Sequence, residues 1–300
     1  MKKRVVPMPQ TRRRVRPAPP KRERNHSLHG VRHLALDMDG TIYSGGTLFA
    51  ETLPFLDLLK RLGVGHTFLT NNSSKSARDY LTRLRRLGIA AEPGQLYTST
   101  QAMIEHLRER HPAVRRLFIL GTPSMIEEMA GAGFVSTADS AGDEPEAVVV
   151  GFDTTLCYAR LCRAAWWVER GKPYFATHPD RVCPTDEPTV LVDCGAICAA
   201  LKEATGRWPD VVLGKPDPCM IRGILCRHNL QPHNLAMVGD RLYTDMAMAR
   251  RAGAVGVLVL TGETKAQEAQ RAVPPPDLVV SGLAELGKQL RNARNRDDWK

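Results

Sequence analysis

Strands and helices are predicted to alternate along this chain from residue 31 onward, and this pattern constrains the fold more than any other feature of the sequence. Short apolar runs, such as residues 31–36 and 255–260, are followed by stretches with the apolar spacing of helices. Such alternation is typical of a parallel sheet that is covered by helices on both faces. The sequence therefore predicts an α/β fold built on a Rossmann-like parallel sheet.

The alternating pattern divides into two series. With 300 residues and 43% hydrophobic content, the chain can form one large domain or two modest ones. The strand expected at residues 211–213 resumes the first series after the second one ends. The predicted segments are a basic tail (1–30), a first core part (31–107), an inserted α/β domain (108–208), a second core part (209–292) and a C-terminal tail (293–300).

The net charge of +10 is concentrated at the N-terminus, where residues 1–30 hold three lysines and seven arginines against one glutamate. The rest of the chain is nearly neutral, which argues against a nucleic-acid-binding surface on the folded body. Because the tail is rich in proline and poor in apolar residues, we expect it to be disordered. An arm that binds polyanions is the alternative.

Seven cysteines without a Cys-x-x-Cys pair predict reduced, mostly buried thiols in a cytoplasmic protein. Cys194 and Cys198 in particular are expected to be buried small hydrophobes rather than metal ligands. No apolar stretch reaches the roughly 18 residues that span a bilayer, and no hydrophobic segment follows the basic N-terminus as in a signal peptide. We therefore expect no membrane association.

Two aspartates, Asp37 and Asp39, directly follow the first apolar run, and a Gly-Thr turn comes next. In an open α/β sheet this position lies at the carboxyl end of a strand, where ligands bind. Two carboxylates so close together repel, so the pair predicts a hard cation such as magnesium and one carboxyl group with a raised pKa. An isolated Asp-x-Asp is more often an acidic turn, and three further stretches decide against that interpretation.

Each of these stretches follows a predicted strand. They are Thr70-Asn71-Asn72, Gly214-Lys215-Pro216, and Gly239-Asp240 with Asp245 five residues later. Because the carboxyl ends of parallel strands meet at one edge, we expect all of them to share a crevice with Asp37. Carboxylates, a hydroxyl group and an ammonium group suit a phosphoryl group that is held beside magnesium. One carboxylate could attack phosphorus, and a second could protonate the leaving oxygen.

Together these motifs resemble the haloacid dehalogenase (HAD) superfamily of phosphatases, and more narrowly its NagD-like and 4-nitrophenylphosphatase-like branch. The matching stretches are Asp-Met-Asp-Gly-Thr-Ile-Tyr from residue 37, Thr-Asn-Asn-Ser from 70, Leu-Gly-Lys-Pro-Asp-Pro from 213 and Val-Gly-Asp-Arg-Leu-Tyr-Thr-Asp from 238. The similarity runs from about residue 31 to 290. It implies an HAD core in which Asp37 is the nucleophile and Asp39 the general acid and base.

The resemblance also implies ligands for magnesium and phosphate. Magnesium would be held by the Asp37 carboxylate, the Asp39 backbone carbonyl and Asp240, with support from Asp245. Phosphate would be bound by Thr70, Asn71 and Lys215.

The inserted segment resembles the large α/β cap domain of this branch, which closes over the site and selects the substrate. The family often carries Ala-Thr-Asn-Pro-Asp on a cap strand, where residues 176–180 of this chain read Ala-Thr-His-Pro-Asp. His178 departs from the pattern and is expected either to contact substrate or to lie on the surface. Asp180 is the better candidate for substrate binding.

The expected function is magnesium-dependent hydrolysis of small phosphate monoesters, of the nucleotide monophosphate or sugar phosphate class, through an aspartyl-phosphate. The partner is then a small phosphorylated metabolite. The alternatives are a phosphomutase or other phosphoryl transferase, and a nucleic-acid-associated protein that acts through its tail. The substrate and the oligomeric state, a homo-oligomer included, stay open.

Two local expectations matter below. The helix after residue 74 is expected to be capped by Ser73 or Ser74. Its arginines at positions 78, 83, 85 and 86 lie mostly off the apolar stripe, so we expect them to form a solvated face.

Overall fold

Two parallel sheets organise the part of the chain that this computed structural model describes, residues 28–184 and 189–295. The basic tail, for which disorder is expected and polyanion binding is the alternative, lies almost wholly in residues 1–27, outside the described residues. The strands are β1 (His33–Asp37), β2 (Tyr43–Ser44), β3 (Thr47–Leu48), β4 (Gly65–Thr70), β5 (Leu96–Thr98), β6 (Arg116–Leu120), β7 (Val135–Ser136), β8 (Ala147–Val150), β9 (Tyr174–Ala176), β10 (Val182–Pro184), β11 (Val190–Val192), β12 (Val211–Val212), β13 (Leu235–Gly239), β14 (Val255–Val259) and β15 (Leu278–Val280).

Helices connect most of these strands. The α-helices are α1 (Thr52–Arg61), α2 (Ala77–Arg86), α3 (Ser99–Arg110), α4 (Pro123–Gly131), α5 (Tyr158–Glu169), α6 (Cys194–Thr205), α7 (Cys219–Arg227), α8 (Ala247–Ala252), α9 (Ala266–Arg271) and α10 (Leu283–Asn295). Short 3₁₀ turns lie at Leu28–Gly30, Pro93–Gln95 and Pro232–Asn234, and a π-helical turn at Leu242–Met246 leads into α8.

The core sheet has the strand order β15-β14-β13-β1-β4-β5, and every neighbouring pair is parallel. Every residue of β1 and β13 is buried, as expected for central strands with helices on both faces. Alternate residues of β1 enter opposite halves of the core, with Leu34 and Leu36 in one apolar cluster and Ala35 in the other. The predicted parallel-sheet α/β core is confirmed.

The second sheet forms the cap, with the order β12-β9-β8-β6-β7 and parallel pairing throughout. Helices α5 and α6 pack on one face, where Trp167 and Ile197 meet strand residues such as Val148. Helix α3 packs on the other face, where Met103 and Leu107 are buried. Its strands lie between β5 and β13 in the chain, so the cap is an insertion into the core.

Residues 211–213 differ from their predicted place. The sequence pattern assigns them to the core, whereas Val211–Val212 pairs with β9 at the edge of the cap sheet. An apolar run predicts a strand but does not encode its partner.

The ends of the chain also differ from the prediction, since Leu28 is buried in a 3₁₀ turn and α10 continues to Asn295. Residues 28–30 and 293–295, which the sequence pattern assigned to tails, therefore belong to these elements.

The N-cap of α2 is Ser76, so the expectation of Ser73 or Ser74 was wrong. The Ser76 hydroxyl accepts from the Asp79 N–H at 3.3 Å, and the Asp79 carboxylate accepts from the Ser76 N–H at 3.0 Å. This reciprocal capping box satisfies two backbone donors at the start of the helix.

Ser73 instead anchors the cap to the core. Its hydroxyl lies 3.1 Å from the Thr177 hydroxyl after β9 and accepts from the Phe152 N–H at 2.9 Å. One residue later, the Ser74 carbonyl accepts from the Thr122 hydroxyl at 2.8 Å. The loop after β4 is therefore bonded to the cap at several points.

Two other observations concern membranes and thiols. None of the helices within the described ranges has both the length and the apolar character needed to cross a bilayer. None of the seven cysteines forms a disulfide within the described residues, and Cys194 and Cys198 are buried in the cap as predicted. The expectation that most of the thiols are buried was wrong, because the other five are exposed or partly exposed.

Candidate active site

Three neighbouring strands of the core sheet end at the candidate site. Asp37 is the last residue of β1, Thr70 is the last residue of β4, and Asp240 directly follows β13. Since β1 lies between β13 and β4, Asp37 is flanked by the other two. The carboxyl edge of the sheet thus brings together a buried nucleophile candidate, a hydroxyl group and a second carboxylate.

Lys215 reaches this edge from outside the core sheet, because it follows the cap strand β12. The side chain of Asn71 clamps its backbone: the Lys215 N–H donates to Asn71 Oδ1 at 2.7 Å, and Asn71 Nδ2 donates to the Lys215 carbonyl at 3.0 Å. Gly214 has φ +68°, and a Cβ there would lie 2.8 Å from Asn71 Oδ1. Asn71 therefore positions Lys215, and its amide group is not free to face a phosphate.

The Lys215 ammonium is 5% exposed and forms ion pairs with Asp37 and, at 2.8 Å, with Asp245. Burial opposes its charge, but these two carboxylates outweigh burial and raise its pKa above the usual lysine value. Lys215 is therefore a cation that is held against the candidate nucleophile.

Asp37, Asp240 and Asp245 each offer an oxygen atom to one small volume, and these atoms all lie within 4.8 Å of one another. Burial, and next the charge of Asp37, raises the pKa of Asp240 to about 6. Burial also raises the pKa of Asp245 to about 7, although Lys215 opposes the shift. Burial and the neighbouring carboxylates therefore disfavour negative charge in this cluster.

The cluster fits a magnesium ion. Asp240 Oδ2 accepts from the Glu263 N–H at 2.6 Å, whereas Oδ1 is buried and has no hydrogen-bond partner within the described ranges. Hard carboxylate oxygens at close range are the ligands that magnesium prefers. A Cβ at Gly40 would lie 2.5 Å from Asp240 Oδ2, so only glycine allows this carboxylate to approach the Asp37 turn.

Asp39 differs from Asp37 in its surroundings, because its side chain reaches solvent. Partial burial and then the charge of Asp37 nevertheless raise its pKa, while Arg83 and the Gly45 N–H act in the opposite direction. A carboxyl group with a raised pKa holds its proton at a higher pH, which suits a general acid. The two aspartates of the motif thus have different environments.

A cavity of about 100 Å³ opens between core and cap above these residues. It is lined by Asp37, Asp39, Thr70, Asn71, Asp180 and Lys215 of the predicted set. It is also lined by residues to which the sequence assigned no site role, including Tyr43, Arg83, Val182, Cys183, Asp193 and Arg241.

Arg83 is one of these missed residues, and its expected place on a solvated face was wrong. Its guanidinium lies 4.5 Å above the centre of the Tyr43 ring and donates a hydrogen bond to the Gly45 carbonyl. The sequence shows that Arg83 stands three residues after Tyr80 and shares a helix face with it, but only the structure shows that this face lines the cavity.

His178 is fully buried, so the expectation of a surface histidine was wrong. Nδ1 lies 2.8 Å from the Thr177 hydroxyl, and Nε2 lies 2.8 Å from Asp193 Oδ1. Burial opposes a charge on the ring, but the Cys194 sulfur and the bonded Asp193 carboxylate outweigh burial and raise the pKa of His178 to about 9. With both nitrogens engaged inside the protein, His178 supports Asp193 and does not itself face a substrate.

Asp180 lies between the cap and the phosphate end of the cavity. Its Oδ2 accepts from Asn71 Nδ2 at 3.1 Å, which joins the cap to the residue that positions Lys215. Asp193, which the sequence missed, is the N-cap of α6. An aspartate directly before a helical stretch is an available signal for a cap, but not for a cavity-lining residue.

Two family models match the chain, over the core and the first part of the cap. The model for haloacid dehalogenase-like hydrolases matches residues 34–135, and a HAD-hydrolase-like model matches residues 212–286. Among curated proteins, the chain is 30% identical over 255 residues to an acid sugar phosphatase from Staphylococcus saprophyticus, covering 85% of this chain and 96% of the relative.

Solved structures give the same result. A 4-nitrophenylphosphatase from Thermotoga maritima is 41% identical with a TM-score of 0.82, covering 87% of this chain and 98% of that one. A glycerol phosphate phosphatase from Mycobacterium tuberculosis in complex with magnesium is 30% identical with a TM-score of 0.78, covering 88% of this chain and 78% of that one. These matches confirm the resemblance on which the motifs were interpreted.

Proposed function

The chain belongs to the haloacid dehalogenase-like hydrolases and is a phosphatase of that family, and on this premise we propose that it hydrolyses small phosphate monoesters with magnesium through an aspartyl-phosphate. The substrates we propose are sugar phosphates or nucleotide monophosphates, and the cytoplasm is the proposed location. The observation that carries the proposal is the buried Asp37 carboxylate, which is paired with the buried Lys215 ammonium and stands two residues before Asp39.

The proposed reaction has two steps. In the first, a carboxylate oxygen of Asp37 attacks phosphorus, the bond between phosphorus and the ester oxygen breaks, and Asp39 gives its proton to the leaving alkoxide. In the second, Asp39 takes a proton from water as the water attacks the same phosphorus. This step releases inorganic phosphate and regenerates the Asp37 carboxylate.

Lys215 and Thr70 would hold the phosphoryl oxygens during both steps. The ammonium neutralises negative charge that would otherwise repel the Asp37 carboxylate. Asn71 supports this role, since it holds the Lys215 backbone at 2.7 and 3.0 Å. Magnesium, held by Asp37 and Asp240 with Asp245 nearby, would add a further positive charge beside the phosphoryl group.

The test is an assay of the purified full chain on 4-nitrophenyl phosphate, glycerol 3-phosphate, glucose 6-phosphate and AMP, with magnesium and with EDTA. We expect magnesium-dependent release of inorganic phosphate in equal amount to the alcohol formed. Asp37→Asn should lower kcat on the order of 10⁴-fold or more, because the nucleophile is removed. Asp57→Asn, which alters an exposed aspartate on α1, is the control and should retain full activity.

Substantial turnover by a well-folded Asp37→Asn variant would contradict the nucleophile assignment. Alcohol formed without matching phosphate, with the phosphoryl group found on an added acceptor, would identify a phosphoryl transferase instead.

A further inference from the structure

The cap contributes an acidic wall to the active-site cavity. Among the described cap residues that line the cavity, Asp180 and Asp193 carry carboxylates. The others, Val182 and Cys183, are apolar or weakly polar, so none of these cap residues is basic. We call Asp180 and Asp193 the cap wall. They are the charged groups that the cap presents to a bound leaving group.

Asp193 is held firmly in place. It is 3% exposed, and its Oδ1 accepts from the Cys194 N–H at 2.6 Å and from His178 Nε2 at 2.8 Å. His178 is fixed in turn by the Thr177 hydroxyl at 2.8 Å. The N-terminus of α6, a helix of 12 residues, also favours a negative charge at its cap. Asp193 is therefore an immobile carboxylate at the edge of a cavity.

Asp180 extends this wall towards the phosphate end of the cavity. Its carboxylate is bonded to Asn71, which holds the Lys215 backbone. A leaving group attached to a phosphate at Lys215 would therefore extend past Asp180 towards Asp193.

The two arginines on the core side of the cavity each have a partner in the core. Arg83 stacks on Tyr43 and donates to the Gly45 carbonyl, and Arg241 pairs with Glu263 at 3.0 Å. A second anion on a leaving group that extends along the cap would meet the carboxylates of Asp180 and Asp193. The repulsion of like charges in a partly buried site makes such a substrate unfavourable.

Hydroxyl groups have the opposite effect. An ionised carboxylate accepts strong, charge-assisted hydrogen bonds, and a buried one needs them as substrate displaces water. At about 100 Å³, the cavity is smaller than the roughly 300–1,000 Å³ of pockets for drug-sized ligands. A compact leaving group that bears several hydroxyls fits the small cavity and can donate hydrogen bonds to the carboxylates.

We infer that Asp193, together with Asp180, is a specificity-determining residue that binds hydroxyl groups of the leaving group. The enzyme then prefers phosphate esters of small polyhydroxylated alcohols and discriminates against esters whose leaving group carries a second anion. This inference rests on the proposed phosphatase function.

The experiment compares three substrates in the full-length wild type and in Asp193→Asn. Glycerol 3-phosphate presents hydroxyls, phosphoglycolate is of similar size but presents a carboxylate, and 4-nitrophenyl phosphate presents neither. In the wild type, kcat/KM should be higher for glycerol 3-phosphate than for phosphoglycolate. In Asp193→Asn, kcat/KM for glycerol 3-phosphate should fall by about 10- to 100-fold, the range expected for a lost hydrogen bond to a charged group. The value for 4-nitrophenyl phosphate should stay within about threefold of the wild type.

Asp139→Asn, on an exposed cap loop, is the control that should leave all three values unchanged. Wild type that favours phosphoglycolate would overturn the inference without any variant. An equal loss for all three substrates in Asp193→Asn would assign it a structural role, and no loss for glycerol 3-phosphate would remove it from specificity. Wild type that hydrolyses no phosphate monoester, 4-nitrophenyl phosphate included, would overturn the proposed function itself.

Discussion

Replacing Lys215 with methionine removes a buried cation while keeping most of the volume of the side chain. At 2.8 Å from Asp245, and with an effective dielectric constant of about 20, the direct attraction is about 6 kcal/mol, from which desolvation of the ammonium must be subtracted. Breaking a buried ion pair by removing one partner typically costs about 3–5 kcal/mol, because the remaining charge stays buried without compensation. We therefore expect Lys215→Met to lower the free energy of unfolding by about 3–5 kcal/mol at pH 8.

The size of this loss should depend on pH in a defined direction. The pKa of Asp245 is raised to about 7 from its ordinary value of 3.8, so the folded state binds the proton more tightly than the unfolded state. The protonated carboxyl group of Asp245 therefore stabilises the folded state at low pH, and this contribution is lost as the pH rises towards 7. Without the opposing charge of Lys215 the pKa of Asp245 rises further, so the variant should lose more stability at pH 8 than at pH 5.

Urea unfolding at both pH values, followed by circular dichroism, measures the difference. EDTA is included so that no divalent cation replaces the ammonium, and Lys288→Met, an exposed lysine on α10, is the control. In magnesium, kcat of Lys215→Met should fall by about 10²- to 10³-fold, as when another charge-stabilising group is removed. An equal loss of stability at pH 5 and pH 8, or none at pH 8, would refute the electrostatic reasoning.

Two more predictions concern other titrating groups. Burial, followed by the charges of His228 and His66, lowers the pKa of His33 to about 3. Stability should therefore fall as pH drops from about 6.5, on the order of 3 kcal/mol by pH 4, and urea titrations of His33→Gln should lack this part of the loss. Asp39→Asn should slow hydrolysis of an alkyl phosphate more than phospho-enzyme formation from 4-nitrophenyl phosphate, whose leaving group needs little protonation. Burst kinetics separates these steps, and equal losses would contradict a general-acid role.

The sheet and its catalytic edge were predictable because the signals are local. Central strands are buried on both faces, so they appear as continuous apolar runs, and the polar residues that follow them mark the edge. The apolar run at residues 255–260 contains β14 (Val255–Val259), and the run at residues 31–36 overlaps β1 (His33–Asp37). The capping box of α2 could also have been predicted from the sequence, since Asp79 stands three residues after Ser76.

The remaining features depend on contacts between distant parts of the chain. Val211–Val212 has the composition of any short strand, and its partner β9 is set by the packing of the cap. Asp193 and His178 are 15 residues apart, and nothing in the sequence indicates that they bond to each other beside the cavity. The clamp between Asn71 and Lys215 spans 144 residues. Motifs identified these residues, but only the structure assigns Asn71 to positioning.

The loop after β4 links the chemistry of the core to the selectivity of the cap. Thr70 lies at the phosphate end of the cavity, Asn71 bonds both Lys215 and Asp180, and Ser73 bonds Thr177. Thr177 also contacts His178, which holds Asp193. Hydrogen bonds from this one loop therefore reach both the backbone of Lys215, beside Asp37, and the cap wall. Because each link is short and mostly buried, a shift of the cap would disturb Lys215 as well as the leaving-group wall. Substrate selection and phosphoryl positioning thus depend on the same few hydrogen bonds.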